Sequence, residues 1–305
     1  MKRDNGGGGV HRQATGPADR DVRDDIAENG EMSVPPEMYT DNYYLHVCGG
    51  YEEFRTGGLA SRLEHAIQLG MLAPGMTVLD VGSGRGEMAV RCAEAGCSVC
   101  GIDYSAAALT ISSALLENRA HGGPSGSVGF QRMNSKFLGF PSRCFDRAFL
   151  IDVVEHLYPD ELRDTLLEVR RVIKPGGRIV VHTAPNAWLI KPIYYVAGLL
   201  LGWRRHPWHV NEQSIISLNR SLAVLGGEVK VEVSKVPGFF KLGVGPGGDN
   251  SPSLRTMAQL LDAVFDSALS VALVEDTPLR YLYGTDLWAT IDVRSEMQAV
   301  EARAQ

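Results

Sequence analysis

The sequence predicts an α/β protein: a largely parallel sheet with helices on both faces, closed by a terminal antiparallel hairpin. Three observations carry this. From Thr77 onward, short apolar stretches alternate with amphipathic stretches of helical spacing. A glycine-rich stretch, Gly82-Ser83-Gly84-Arg85-Gly86, directly follows the first apolar stretch, where a strand would turn into a helix. A carboxylate, Asp103, ends the second apolar stretch, about 20 residues past that loop.

The elements follow in order. Residues 1–35 are rich in Gly, Asp, Arg and Pro and poor in apolar side chains, which predicts a disordered tail. Residues 36–75 read as an N-terminal helical cap. An aromatic segment (Tyr39, Tyr43, Tyr44, Tyr51, Phe54) leads into a helix over 59–72, with Leu63, Ala66, Ile67 and Leu69 near one face. The main domain occupies 76–295. Its expected parallel strands are 77–81, 98–102, 127–131, 147–151 and 178–182, with helices at 87–95, 106–118 and 161–172. Pro175-Gly176-Gly177 predicts a tight turn just before the fifth strand. An apolar insertion near 187–210 comes next. A helix over 211–225 follows, with Asn211 as its N-cap and Glu212 favoured by the helix dipole. A strand at 228–234, a helix at 253–269 and a last strand at 286–293 complete a sheet of seven.

Bulk properties narrow the function. The 305 residues suit one α/β domain plus an appendage, and 44% hydrophobic with 22% charged residues is ordinary for a globular chain. A net charge of −6 argues against a nucleic-acid substrate, which needs a basic face. The five cysteines, Cys48, Cys92, Cys97, Cys100 and Cys144, are odd in number, and no secretory signal is evident. Both points suggest free thiols and a cytoplasmic location. Cys97 and Cys100 have C-x-x-C spacing, yet no second pair completes a metal site. No stretch reaches the ~20 apolar residues of a spanning helix.

The glycine loop carries the chemistry. Its spacing is G-x-G-x-G, not the G-x-G-x-x-G of dinucleotide sites. Asp80 stands two residues before the first glycine, where a pyrophosphate would be repelled and an ammonium group tolerated. Asp103 is placed to accept from both hydroxyls of a ribose. These residues resemble the class I S-adenosylmethionine-dependent methyltransferases, in their small-molecule branch, over about residues 59–233. The resemblance implies a Rossmann-like seven-stranded sheet and S-adenosyl-L-methionine as cofactor. It implies that Asp80, Gly82, Gly84 and Gly86 meet the methionyl part and Asp103 the ribose. Asn134 and Ser135, after the third strand, are then assigned to adenine, with Tyr104 flanking it. Asp152, in the fourth-strand motif that runs from Leu150 to Leu157, falls where the chain leaves the sheet beside the transferred methyl.

Methyl transfer is an in-line displacement from a sulfonium, so much of the catalysis comes from alignment and exclusion of water. A base is needed only when the acceptor must lose a proton. His156, His209 and Glu155 are the catalytic candidates, the histidines as bases near neutral pH. Asp152, Glu155 and His156 also form a D-x-x-E-H pattern that resembles a cluster of quinone-biosynthesis O-methyltransferases, some of which use a divalent metal. The same letters occur in relatives that bind none, and no metal is assigned.

Tyr44, Tyr51 and Asn186 are expected at the acceptor. The segment 193–203, followed by Arg204-Arg205, is too short to span a bilayer. It reads as a core or homo-oligomer-facing helix, as an acceptor cap, or as a peripheral membrane contact. A hydrophobic or aromatic small-molecule acceptor is expected, such as a polyketide, prenylated or indolic compound. Three rivals stand beside this reading. The loop spacing disfavours a nicotinamide oxidoreductase. Intact cofactor motifs disfavour a non-catalytic cofactor-binding module. The acidic charge, and the lack of an N-P-P-Y or D-P-P-Y motif after the fourth strand, disfavour a nucleic-acid or protein methyltransferase.

Overall fold

The computed structural model describes residues 33–118, 125–201, 207–242, 252–267 and 277–294. The expected tail lies outside this set apart from its last three residues, and so do Arg204, Arg205 and the end of the helix expected over 253–269.

Seven strands form one sheet: β1 (Thr77–Val81), β2 (Ser98–Asp103), β3 (Ser127–Arg132), β4 (Phe145–Ile151), β5 (Ile173–Thr183), β6 (Glu228–Ser234) and β7 (Asp286–Asp292). Their order is β3-β2-β1-β4-β5-β7-β6. The first five are parallel, while β7 runs antiparallel to both of its neighbours, β5 and β6. The chain winds outward from β1 in both directions, so a crevice opens at the carboxyl ends of β1 and β4, where ligands of such sheets bind.

The central strands are apolar on both faces because helices cover both. On one face, Leu63 and Ala66 of α2 (Ser61–Gly70) and Met88 and Cys92 of α3 (Glu87–Glu94) pack on Val78, Phe149 and Val180. On the other, Leu162, Leu166 and Val169 of α5 (Pro159–Val172) join Leu218 and Leu222 of α7 (Ile215–Leu222) against Leu79, Leu150 and Ile179. Neighbouring β4 residues Phe149 and Leu150 thus serve opposite cores, as the strand period requires. A further helix, α4 (Ala106–Asn118), follows β2.

Two expectations are corrected. The Pro-Gly-Gly stretch does not precede β5 but lies inside it as a bulge. Ile173 pairs with Phe145 and Arg178 with Arg147, so the extra residues loop out, with Gly176 at φ 77°. Asn211 is not a cap. Helix α7 starts at Ile215, where the Ser214 hydroxyl accepts from the Ser217 amide at 3.2 Å and the Ser217 hydroxyl bonds the Ser214 amide at 2.8 Å. The backbone ahead of it is spent elsewhere: Val210 and Asn211 amides both donate to the Glu155 carbonyl.

The apolar insertion forms α6 (Ala187–Leu201). Leu189 and Ile193 pack on Phe240 of α8 (Phe239–Leu242) and on Ala258 and Leu261 of α9 (Pro252–Phe265). Tyr195, Val196, Leu199 and Leu200 of this helix are exposed, as are Leu260 and Val264 of α9. Among the described residues, no helix is long and apolar enough to cross a membrane. The five cysteines are all free thiols.

Candidate cofactor and acceptor site

β1 delivers Asp80 and then the glycine loop to the crevice. Gly82, Gly84 and Gly86 all take positive φ (68°, 52° and 83°), which side chains resist. Two of them are also tight. A Cβ on Gly82 would lie 2.6 Å from Val153, and one on Gly86 would lie 2.5 Å from Phe130. β2 delivers Asp103 to the same place. Its Oδ2 accepts from the Gly84 amide (3.0 Å) and its Oδ1 from the Ser105 amide (2.9 Å), so this carboxylate fixes the loop.

Three acids crowd this corner. Burial raises the Asp80 carboxyl well above its ordinary value, and the negative charges of Glu87 and Asp103 add to the shift. Glu87 is answered by Arg85 at 2.7 Å, but Asp80 Oδ2 and Ser83 Oγ are buried without a hydrogen-bond partner. A ligand bearing an ammonium group, a sulfonium and a ribose would bring both the donors and the positive charge that this corner lacks. The site therefore fits S-adenosylmethionine.

The adenine side is less uniform. Tyr104 donates its hydroxyl to the Val34 carbonyl (3.0 Å), and its ring leans on Tyr39 (centroids 5.6 Å apart). Asn134 is exposed and uses Oδ1 to accept from the Lys136 amide at 3.0 Å, stabilising its own loop. Ser135, expected at adenine, is turned to α5 instead, where its hydroxyl meets that of Thr165 at 2.8 Å.

At the exit of β4 the motif residues part company. Asp152, expected beside the cofactor, has both oxygens taken. Arg62 Nε lies 2.7 Å from Oδ2, and His182 Nδ1 lies 2.5 Å from Oδ1. Burial would raise the Asp152 carboxyl, but the charges of Arg62 and His182 win and hold it well below the usual carboxylate range. Glu155 and His156 instead converge with His209: one ligand atom from each lies within 4.8 Å of the others. Glu155 is buried and accepts from the Thr183 hydroxyl at 2.7 Å. Burial, then the charge of Asp152, pushes its carboxyl up to about 8. The His156 and His209 rings meet edge to face at 5.1 Å, and His156 Nδ1 lies 3.0 Å from the Tyr39 hydroxyl.

The N-terminal segment closes over this cluster. Tyr39 and Tyr43 stack edge to face (5.0 Å), and Tyr43 packs on Trp208 (5.3 Å). Tyr44 lies deeper, its ring 3.5 Å from where a Gly84 Cβ would stand, so it borders the glycine loop. Tyr51, in α1 (Tyr51–Arg55), packs with His46 and Phe54. Asn186, also expected at the acceptor, is fully buried and structural: its Nδ2 donates to the Tyr281 and Gly284 carbonyls, and its Oδ1 accepts from the Trp188 amide.

The sequence names Arg85 inside the glycine loop but gives it no role. Its guanidinium donates to the Tyr44, Cys48 and Gly49 carbonyls, and the group stacks over Phe54 at 5.2 Å. One side chain thus ties the cofactor loop to the overlying segment. Arg62 and His182 were likewise missed.

Residues 79–181 match the family model of a methyltransferase domain. The O-methyltransferase resE of Aspergillus sclerotiorum is 32% identical over 108 residues, covering 35% of this chain and 39% of that protein. The ubiquinone biosynthesis O-methyltransferase of Rhizobium etli is 30% identical over 159 residues, covering 51% and 61%. The chain thus spans less than two thirds of either relative. Among solved structures, the [4+2]-cyclase SpnF superposes with a TM-score of 0.56 at 18% identity, covering 87% of this chain and all of that one. The geranyl diphosphate C-methyltransferase of Streptomyces coelicolor A3(2) gives 0.51 at 17% identity, covering 76% and 78%. At such identities the likeness concerns the fold alone, and a cyclase on the same fold makes the point. Sheet order, loop and family model agree: residues 79–181 form a methyltransferase domain.

Proposed function

We propose that this protein transfers a methyl group from S-adenosylmethionine to a hydrophobic or aromatic small molecule, in the manner of natural-product methyltransferases. The observation that carries this is the wall of Tyr39, Tyr43 and Trp208 around His156 and His209, directly beside the glycine loop. In this reading Asp80, Gly82, Gly84 and Gly86 hold the methionyl end. Asp103 holds the ribose, and Tyr104 and Asn134 border adenine. Residues 36–75 cap the acceptor, and His156 or His209 takes a hydroxyl proton as the methyl arrives. One similar protein is named for ubiquinone biosynthesis, which is in keeping with a lipophilic acceptor. The five free thiols favour the cytoplasm.

A screen of metabolites with methyl-labelled cofactor, read by mass spectrometry, tests the proposal. Phenolic, prenylated or indolic compounds should gain the label. Labelling confined to charged sugars or amino acids would refute the acceptor class. Cofactor binding without any transfer would leave a binding module.

A second reading is favoured by one observation, the convergence of Glu155, His156 and His209. These three could hold a divalent cation that lowers the pKa of an acceptor hydroxyl. Chelator should then stop turnover, magnesium or zinc should restore it, and Glu155→Gln should be as damaging as His156→Ala. The exposed apolar side of α6 and α9 also suits a peripheral membrane contact or a homo-oligomer. Liposome flotation and sedimentation separate those two.

A further inference from the structure

Four charged side chains run in line beneath the β4 exit. Arg62 of α2 meets Asp152, Asp152 meets His182 at the end of β5, and His182 Nε2 lies 3.2 Å from Asp286 Oδ2 at the start of β7. The proposed chemistry uses none of them directly. We propose that His182 is the positioning residue for the turn that presents Glu155 and His156. The use of that turn rests on the methyltransferase reading above; the clamp itself does not.

The turn needs holding. Asp152 is not glycine, yet its φ is 58°. That left-handed conformation strains any residue that carries a side chain. His182 grips it at two points: its carbonyl accepts from the Asp152 amide at 3.1 Å, and its Nδ1 bonds the Asp152 carboxylate. The ring cannot swing away. It is 1% exposed and packs on Trp288 at 4.2 Å, which is itself met edge to face by His65 of α2.

Because carboxylates only accept, a ring lying between two of them donates from both nitrogens and is an imidazolium. Two cations, Arg62 and His182, then balance two anions, Asp152 and Asp286, so the chain of charges is neutral within the protein. The next residue completes the device. Thr183 points to the opposite face of the strand and donates to Glu155. The last two residues of β5 thus hold the two acids of one turn, one on each face of the sheet. No neutral side chain reproduces this. Glutamine in place of His182 would turn an amide oxygen toward one of the carboxylates and leave two anions, buried Asp286 and half-buried Asp152, for one cation.

The test uses the full chain and S-adenosylmethionine alone as probe. Ring-nitrogen NMR of the wild type should show one histidine with both nitrogens protonated at pH 8; His182→Gln should remove it. In that variant the His156 ring resonances should shift, and amide exchange over residues 153–157 should quicken roughly tenfold. Exchange in β1 and β2, and calorimetric affinity for S-adenosylmethionine, should stay within about twofold. Should His182→Gln fail to fold, Asp286→Asn, which keeps the bond to Asp152, should quicken the same amides to a smaller degree. Unchanged His156 resonances with unchanged exchange over 153–157 would overturn the proposal, as would a neutral His182 ring in the wild type. If the wild type fails to bind S-adenosylmethionine, the cofactor reading falls, while exchange and ring resonances still decide the clamp.

Discussion

Asp103 shows how much one side chain carries. Its carboxylate already holds the glycine loop through the Gly84 amide, and it offers the lone pairs that a ribose requires. Asp103→Ala should therefore weaken S-adenosylmethionine binding by about 2–4 kcal/mol in calorimetry, since charge-assisted bonds and the loop anchor go together. An unchanged affinity would remove Asp103 from the ribose. Gly86→Ala should act on the fold instead. Its Cβ would lie 2.5 Å from Phe130 and 2.8 Å from Ser112, on a backbone at φ 83°. A loss of about 2 kcal/mol or more in urea unfolding is expected. Both residues were legible in the sequence because their meaning is local: short spacing around one loop. The partners of Arg62 and His182 lie 90 and 104 positions away, and no short window contains them. Asn186 misled for the same reason. Its place at a strand end is visible, while the carbonyls of Tyr281 and Gly284 that absorb it are not.

Elements follow the same division. Apolar runs marked the cores of the strands, since burial on two faces leaves a pattern of its own. Edges set by distant contacts were hidden. Helix α7 begins at Ile215 because Glu155 claims the amides of Val210 and Asn211 first. Ser214→Ala should cost about 1 kcal/mol in denaturant unfolding, whereas Asn211→Ala should cost little through capping. The segment over the cofactor loop hangs on Arg85. Arg85→Met would leave Glu87 buried and unpaired, and release the Tyr44, Cys48 and Gly49 carbonyls together. A loss of about 3 kcal/mol or more is expected. Limited proteolysis should then cut residues 34–58 much faster than in the wild type. An intact segment would mean that the aromatic packing of Tyr39 and Tyr43 suffices.

For the molecule as a whole, the charged groups at the sheet edge set a pH window. Burial opposes a charge on His182, but the charge and hydrogen bond of Asp152, with help from Asp286, prevail and push it up to about 10. Glu155 is raised too, to about 8. Both shifts have the same sign. Each group contributes stability fully below its unfolded value and loses it as pH rises through its folded value. Asp152 works at the other end: held low, it contributes at neutral pH and loses that only in strong acid. The melting temperature should thus fall from about pH 4.5 to about pH 10, most steeply between about 6.5 and 8 where both groups titrate, with a shallower slope in His182→Gln. A flat wild-type profile would contradict the charge states assigned to the edge.

The place of β7 bears on how the protein is made. This strand lies between β5 and β6, although both precede it in the chain, and its first residue, Asp286, closes the row of charges on His182. A ribosome therefore exposes two unmatched strand edges, and a cation short of one partner, until β7 has been made. The emerging chain can pair β1 to β5 early, but it cannot seal its sheet or settle its site until β7 has emerged. Chaperone contact during synthesis should accordingly concentrate on β5 and β6, and end when β7 slides between them.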